Sequence, residues 1–302
     1  MSRTSTWIPA SGSSEVTAER ARRRLLWFDV LVRLRRSRGP AVGGMMLTVL
    51  ALAAIAAPLL TPYDPLAMHP ADRLRPPGLH HPFGTDVFGR DLFTRVLYGS
   101  RISLQTGLVS VVIAVAVGVP IGLTSGYYGG VADRLLMRLV DLMLTFPGIL
   151  LALVIVAILG PNLLNAMLAV GISASPTYAR VVRASVLTVR ELAYVEAAQA
   201  LGCRNTRIIV HHILPNTVAP VIVLGTLGLA GAIITAAALS YLGLGAQPPT
   251  PEWGALLSEG RNYLRVAWWM TTFPGLAIMA AVLAINLLGD GLRDALDPRL
   301  RY

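Results

Sequence analysis

No lysine occurs in the 302 residues; all 26 basic side chains are arginine. The absence reads as codon usage, yet it excludes one activity. A phosphate-cradling loop of the form GxxxxGK[ST] needs its lysine, so ATP hydrolysis by that device is ruled out. Charge of either sign is scarce, at 14% of the chain against about 25% in ordinary soluble domains. Cys203 is the single cysteine, which forbids an intrachain disulfide. The first 24 residues are rich in Ser, Thr and Arg without an apolar core, so no cleavable secretion signal is expected there. No nucleophile–base constellation or metal-ligand spacing is recognisable, which argues against an enzyme and against a metal site.

What the chain does have is apolar length. It is 54% hydrophobic, with a mean hydropathy of +0.62. A bilayer core of about 30 Å needs about 20 apolar residues per helix. Windows of that kind run over Val42–Leu60, Ile102–Leu123, Thr217–Leu239 and Val266–Leu288. Between Leu142 and Ala179 lie 38 residues without a formal charge, too many for one crossing. Gly160-Pro161-Asn162 divides that run into a hairpin. The expectation is an all-α membrane protein of six transmembrane helices.

The arginines orient it. With the N-terminus inside, inner segments hold 19 Arg and outer segments 7, a positive-inside bias. Both termini are then cytoplasmic, and the +10 net charge reports topology and contact with anionic membrane lipid. Nucleic acid is not an expected partner, because the arginines are dispersed over several loops.

Three parts follow. Residues 1–41 form a cytoplasmic tail, polar at first and then, over Leu25–Arg38, alternating apolar side chains with arginines. An amphipathic helix on the inner membrane face and a plain topology anchor fit that pattern equally. Residues 42–101 hold the first transmembrane helix and an extracytoplasmic loop, whose Thr61–Arg101 segment carries six of the twenty prolines. Its charges, Asp86, Arg90, Asp91 and Arg95 among them, are tolerable only at an interface or paired. Asp91 and Arg95, at i,i+4, would contribute only about 0.3–0.5 kcal/mol if exposed. Residues 102–302 form the core, with five further helices and a polar loop over 188–216. Pro120, Pro147, Pro176, Pro220 and Pro274 fall in or beside these helices and favour kinks.

The loop is the most informative stretch. Thr188-Val189-Arg190-Glu191 fits a capping box at a helix start. Good helix formers follow to Leu201, and Gly202 suits the left-handed position that ends a helix. Ala197, Ala198 and Ala200 give it a slim surface, suited to a groove on another protein. Glu196 is placed to contact that partner or Arg204 or Arg207, and Leu214-Pro215 is expected to redirect the chain into the next span. Such a helix, held between two spans, is a lever. His211 and His212 are adjacent, poor geometry for a shared metal. No carboxylate lies near a bilayer midplane, where ion-coupled carriers tend to place one.

Tyr194–Asn216, YVEAAQALGCRNTRIIVHHILPN, resembles the cytoplasmic EAA loop of bacterial ABC-importer permeases. The resemblance extends over roughly residues 30–302. HPFGTDVFGRDLFTRVLYGSRISL, SYLGLGAQPPTPEWGALLSEGRNYL and FPGLAIMAAVLAINLLGDGLRDALDPRLR are similar to the dipeptide/oligopeptide/nickel permease family, and within it to the second, "C"-type subunit. This implies a type I ABC importer permease fold in the bacterial cytoplasmic (inner) membrane. Implied partners are a homologous "B"-type permease, two ATP-binding subunits or one fused ATPase, and an extracytoplasmic substrate-binding protein. ATP and Mg would sit on the partner ATPases, with no cofactor in this chain.

Carried over by that resemblance, the ATPase-coupling residues are Tyr194, Glu196, Ala197, Ala198, Gly202, Arg204, Leu214 and Pro215. One departure is His212, where the family has an apolar residue; Ile213 is the neighbour placed to fill that role. An extracytoplasmic flap meeting the binding protein maps to Gln247, Pro248, Pro249 and Trp253, although a bland membrane-surface loop fits the same residues. Asp290, Arg293, Asp294 and Arg299 mark the cytoplasmic exit of the last helix. The implied cargo is a short peptide, with nickel, glutathione or haem-like ligands as alternatives inside the family. A self-contained secondary transporter is the rival of another class, and it would need midplane ion sites or an internal repeat.

Overall fold

The computed structural model describes residues 37–296. Most of the basic N-terminal segment and Arg299 lie outside them. No strand forms among the described residues, and nine helices of eight residues or more do. They are α1 (Arg38–Ile55), α2 (Leu92–Tyr128), α3 (Gly130–Thr145), α4 (Gly148–Leu159), α5 (Leu163–Arg190), α6 (Ala193–Ala200), α7 (Leu214–Tyr241), α8 (Trp253–Gly260) and α9 (Trp269–Leu296).

Four helical stretches are long and apolar enough to cross a membrane, or five if one bent pair counts as a crossing. The chain is a multi-pass membrane protein. Exposed apolar side chains such as Leu52, Val112 and Ile158 lie on these helices; they would be a liability in water and suit contact with lipid. The helices overrun the sequence windows because their polar ends remain helical: α2 has 37 residues, about 55 Å at 1.5 Å per residue.

The third expected span is broken, beyond the kink that Pro147 suggests. α3 and α4 meet at 96°, and the break falls at Phe146-Pro147. Proline offers no N–H and pushes the residue before it to extended geometry; Phe146 has φ −89° and ψ 135°. At 12 residues, α4 is about 18 Å long and too short to cross alone. The turn at Gly160 is as expected, with φ 93°, and Asn162 caps α5 through the Leu164 N–H.

Glycine contacts give the helix directions. Gly171 faces Ile113, Gly118 faces Ser175 and Tyr178, Gly122 faces Ala179 and Val182, and Gly126 faces Val186. Numbers rise together, so α2 and α5 lie side by side and parallel. A Cβ at Gly118 or Gly122 would sit 2.5 Å from a carbonyl oxygen of α5; this small-residue stripe is what permits the close packing. α7 runs the other way, with Gly107 against Ile233 and Val111 near Gly225. α9 is antiparallel to α7, because Ile233 shares a cluster with Ile285 while Gly289 meets Leu227. Arg101, near the start of α2, donates to the Ala54 and Ile55 carbonyls and so caps the end of α1.

Two apolar cores occupy opposite ends of this bundle. One joins Leu92, Val96, Trp253, Leu256, Trp269 and Met270. The other joins Tyr127, Val182, Val186, Val195, Ile208 and Ile213.

Candidate functional site

The loop between α5 and α7 contains one well-terminated helix, α6. Its start differs from the expected capping box. α5 runs on to Arg190, and Thr188 donates its hydroxyl back to the Ala184 carbonyl 3.2 Å away. Thr188 therefore closes the long helix instead of opening the short one, and Leu192 stands at the N-cap without a side-chain cap. The stop is as expected. Gly202 has φ +74°, the Cys203 N–H bonds the Ala198 carbonyl at 3.1 Å and the Gly202 N–H bonds that of Gln199 at 2.9 Å. That pair of bonds is a Schellman cap.

α6 has two faces. Val195 and Ala198 point into the cluster with Val182, Val186, Ile208 and Ile213. Tyr194, Glu196, Ala197 and Leu201 are exposed. Burying side chains the size of Val195, Ile208 and Ile213 stabilises by about 1.5–3 kcal/mol each, so the helix is keyed to the bundle. Ile213 is fully buried, filling the apolar role, while His212 lies beside the Tyr194 ring, 6.1 Å between centroids.

Polar ties complete the joint. Asn216 donates to Tyr194 Oη at 3.1 Å, and Tyr127 Oη donates to Asn205 Oδ1 at 2.9 Å. Arg190 donates to the Gly126 and Tyr127 carbonyls, each at 3.3 Å. The segment that carries α6 is thus tied to α2 through Arg190 and Asn205, and α6 itself to α7 through Tyr194. Arg204 is exposed, and Leu214 and Pro215 are half-buried. Leu214-Pro215 does not turn the chain: a π-helical segment, Ile209–Ile213, runs straight into α7. The wider turn bonds the Leu214 N–H to the Ile209 carbonyl and accommodates the donor that Pro215 lacks.

The opposite end is built from charge. Arg90 donates to Asp86 at 2.6 Å and to Glu259 at 2.8 Å; Arg95 donates to both carboxylates at 2.6 Å. Arg90, Arg95 and Asp86 are almost completely buried. Two arginines and two carboxylates balance, and leaving one member unpaired in such a setting costs about 3–5 kcal/mol. Asp91 does not pair with Arg95. It caps α2 through the Thr94 N–H at 2.8 Å and holds His81 Nδ1 at 2.8 Å. The charges of the Thr61–Arg101 segment announced that partners were needed, but nothing in the sequence pointed to Glu259, 164 residues beyond Arg95.

Among the flap residues, Gln247, Pro248 and Pro249 are exposed. Trp253 is fully buried, its indole N–H donating to the Val96 carbonyl at 3.0 Å, so it anchors the segment from inside. Glu252 caps α8 through the Ala255 N–H at 3.0 Å and meets Ser103 at 3.2 Å. Burial pushes its carboxyl above the usual range, against hydrogen bonds that lower it. At the far end of α9, Asp290, Arg293 and Asp294 are exposed; Asp141 pairs with Arg180 at 2.7 Å and Asp133 with Arg183 at 2.6 Å.

A cavity of about 360 Å³ opens between α2, the α3–α4 elbow, α5 and α7, with Ser110, Ser173, Tyr178 and Thr235 in its wall.

Residues 118–302 match the model of binding-protein-dependent transport system inner membrane components. The chain belongs to that permease family. Residues 26–77 also match the N-terminal membrane domain of oligopeptide transport permease C. Among relatives, the permease is 50% identical over 275 residues to the dipeptide transport system permease protein DppC of Alkalihalophilus pseudofirmus, covering 91% of this chain and 90% of the relative. It is 43% identical to DppC of Haemophilus influenzae, covering 91% and 94%. It is 45% identical to the glutathione transport system permease protein GsiD of Pectobacterium atrosepticum, covering 92% and 93%. The fold resembles a chain of the inward-facing MetNI methionine ABC transporter, with TM-score 0.52 and 20% identity, covering 67% of this permease and 96% of that chain.

Proposed function

We propose that this permease is one of two membrane subunits of an ATP-driven importer, passing short peptides across the bacterial inner membrane. Supporting the cargo are relatives named for dipeptide and di/tripeptide transport at 50% and 47% identity. A glutathione reading also has support, from the relative named for that tripeptide. The observation that carries the coupling mechanism is α6: a capped helix with one exposed face and one keyed into a cluster shared by α2, α5 and α7.

The chain crosses the membrane six times, with both termini and α6 on the cytoplasmic side. Supporting this, α2, α5 and α9 run one way and α1 and α7 the other, so residues 129–162 return the chain from the end of α2 to the start of α5. The bent α3–α4 pair makes that crossing. ATP is bound and hydrolysed by partner subunits that dock on Tyr194, Glu196, Ala197 and the exposed Leu201. As the ATPases close, α6 moves and carries three spanning helices with it. Arg204 borders this docking surface, and the α9 charges Asp290, Arg293 and Asp294 are exposed at the same end of the bundle. Gln247, Pro248 and Pro249 meet the extracytoplasmic binding protein.

The test is purification from native membranes followed by reconstitution. A second permease, ATP-binding subunits and ATP-dependent uptake of labelled dipeptide, with competition by glutathione measured alongside, are the expected result. A chain that purifies alone and transports on an ion gradient would sink the proposal.

A further inference from the structure

The cavity between α2, α5 and α7 belongs to none of the docking surfaces. Its volume, about 360 Å³, is at the lower end of the roughly 300–1,000 Å³ typical of small-molecule pockets. Its wall holds hydroxyls on three helices, without a carboxylate, guanidinium or imidazole. Ser110 on α2 is 1% exposed, and its hydroxyl has no hydrogen-bond partner. A buried polar group of this kind is costly to leave unpaired.

Besides the exposed Thr177, the hydroxyls divide into two kinds. Ser173 on α5 donates to the Val170 carbonyl at 3.0 Å, and Thr235 on α7 donates to the Gly231 carbonyl at 2.9 Å. With its single proton spent on its own helix, each has only lone pairs to offer. Ser110 retains its proton. Tyr178 reaches the Leu224 carbonyl at a long 3.4 Å, held beside Gly228, where any Cβ would collide with the phenol oxygen. The wall therefore combines acceptors for ligand N–H groups with a donor for a ligand carbonyl. Val111, Ala114, Val170 and Ala232 supply apolar surface between them.

We infer that this cavity is a binding subsite of the permease itself for the main-chain amides of a short peptide. Resting on the peptide-importer reading, it places recognition in the membrane as well as on the binding protein. The chemistry is neutral: an amide N–H meets Ser173 or Thr235, an amide carbonyl meets Ser110, and side chains rest on apolar wall. Charged peptide ends have no fixed counter-charge here, so the subsite reads the backbone and tolerates varied side chains.

Gly231 allows a clean test, because a Cβ there meets nothing within 4 Å. In the complete transporter, reconstituted with its partner subunits and binding protein, G231L puts a bulky side chain into the cavity wall at a position where a Cβ is accommodated. Dipeptide uptake is expected to fall at least about tenfold while the assembled complex is recovered in normal yield. S110A combined with T235V is expected to raise KM for dipeptide about fivefold to tenfold, with kcat changed much less, on the scale of two lost hydrogen bonds. I158A, on the exposed face of α4, serves as the control with wild-type uptake. Wild-type KM and rate in both cavity variants, in membranes where G202V abolishes uptake, would overturn the subsite and leave the importer reading intact. Failure of the wild-type complex to import dipeptides would remove both.

Discussion

The two ends of the bundle solve the problem of leaving the membrane in opposite ways. At the α8 end, four charges neutralise one another in the interior, and Trp253 and Trp269 are sealed against α2 and the Thr85 carbonyl. The charges at that end find their counter-charges within a single chain. At the α6 end the interior is apolar, and much of what is polar or sticky faces outward: Glu196, Arg204, Arg207, Asp290, Arg293, and the 83% exposed Leu201. That end is built to be completed by something else. In the proposed importer the α8 end would serve as a fixed frame and the α6 end as a joint.

The largest effect is expected at the frame. R95A should cost about 3–5 kcal/mol, because Asp86 and Glu259 keep their burial and lose a partner. The expected readout is poor recovery and early thermal unfolding in detergent; an unchanged melting temperature would mean the network is decorative. At the joint, G202V forces a β-branched residue into a left-handed conformation worth about 1–3 kcal/mol of local strain. Uptake should fall at least tenfold, since the Schellman cap no longer fixes the end of α6. E196K should leave stability within about 0.5 kcal/mol, as an exposed change does, yet abolish substrate-stimulated ATP hydrolysis. The smallest effect is expected from R180A. Its pair with Asp141 is more than half exposed on both sides, worth about 0–1 kcal/mol, and uptake should be near normal.

The joint was far more legible in the sequence than the frame. Gly202 marks the end of α6 because few other residues adopt its φ of +74°, and the alanine-rich run sets a slim helix. The start of α6 is ambiguous in the sequence because Thr188 can bond forward as a cap or backward to Ala184; only the course of α5 decides between them. The apolar windows located the spans, but not the elbow at Pro147, since a proline beside an apolar run is compatible with a kink or a full break. The frame depends on Glu259 meeting Arg90 and Arg95, a contact with no local pattern. Periodicity also gave no clue to the cavity, because helices that are apolar on nearly every side do not declare which face lines a path.

In the proposed mechanism α6 is where an ATPase subunit takes hold of three spanning helices. A chain carrying C203S has no cysteine left, so A197C, on the exposed face of α6, becomes a unique thiol. In the reconstituted transporter a short bifunctional thiol reagent should join that position to a single cysteine placed in the ATP-binding subunit. Uptake should stop when the link forms and return when it is cleaved. Full uptake with the link in place, or linkage only to some other subunit, would contradict the account.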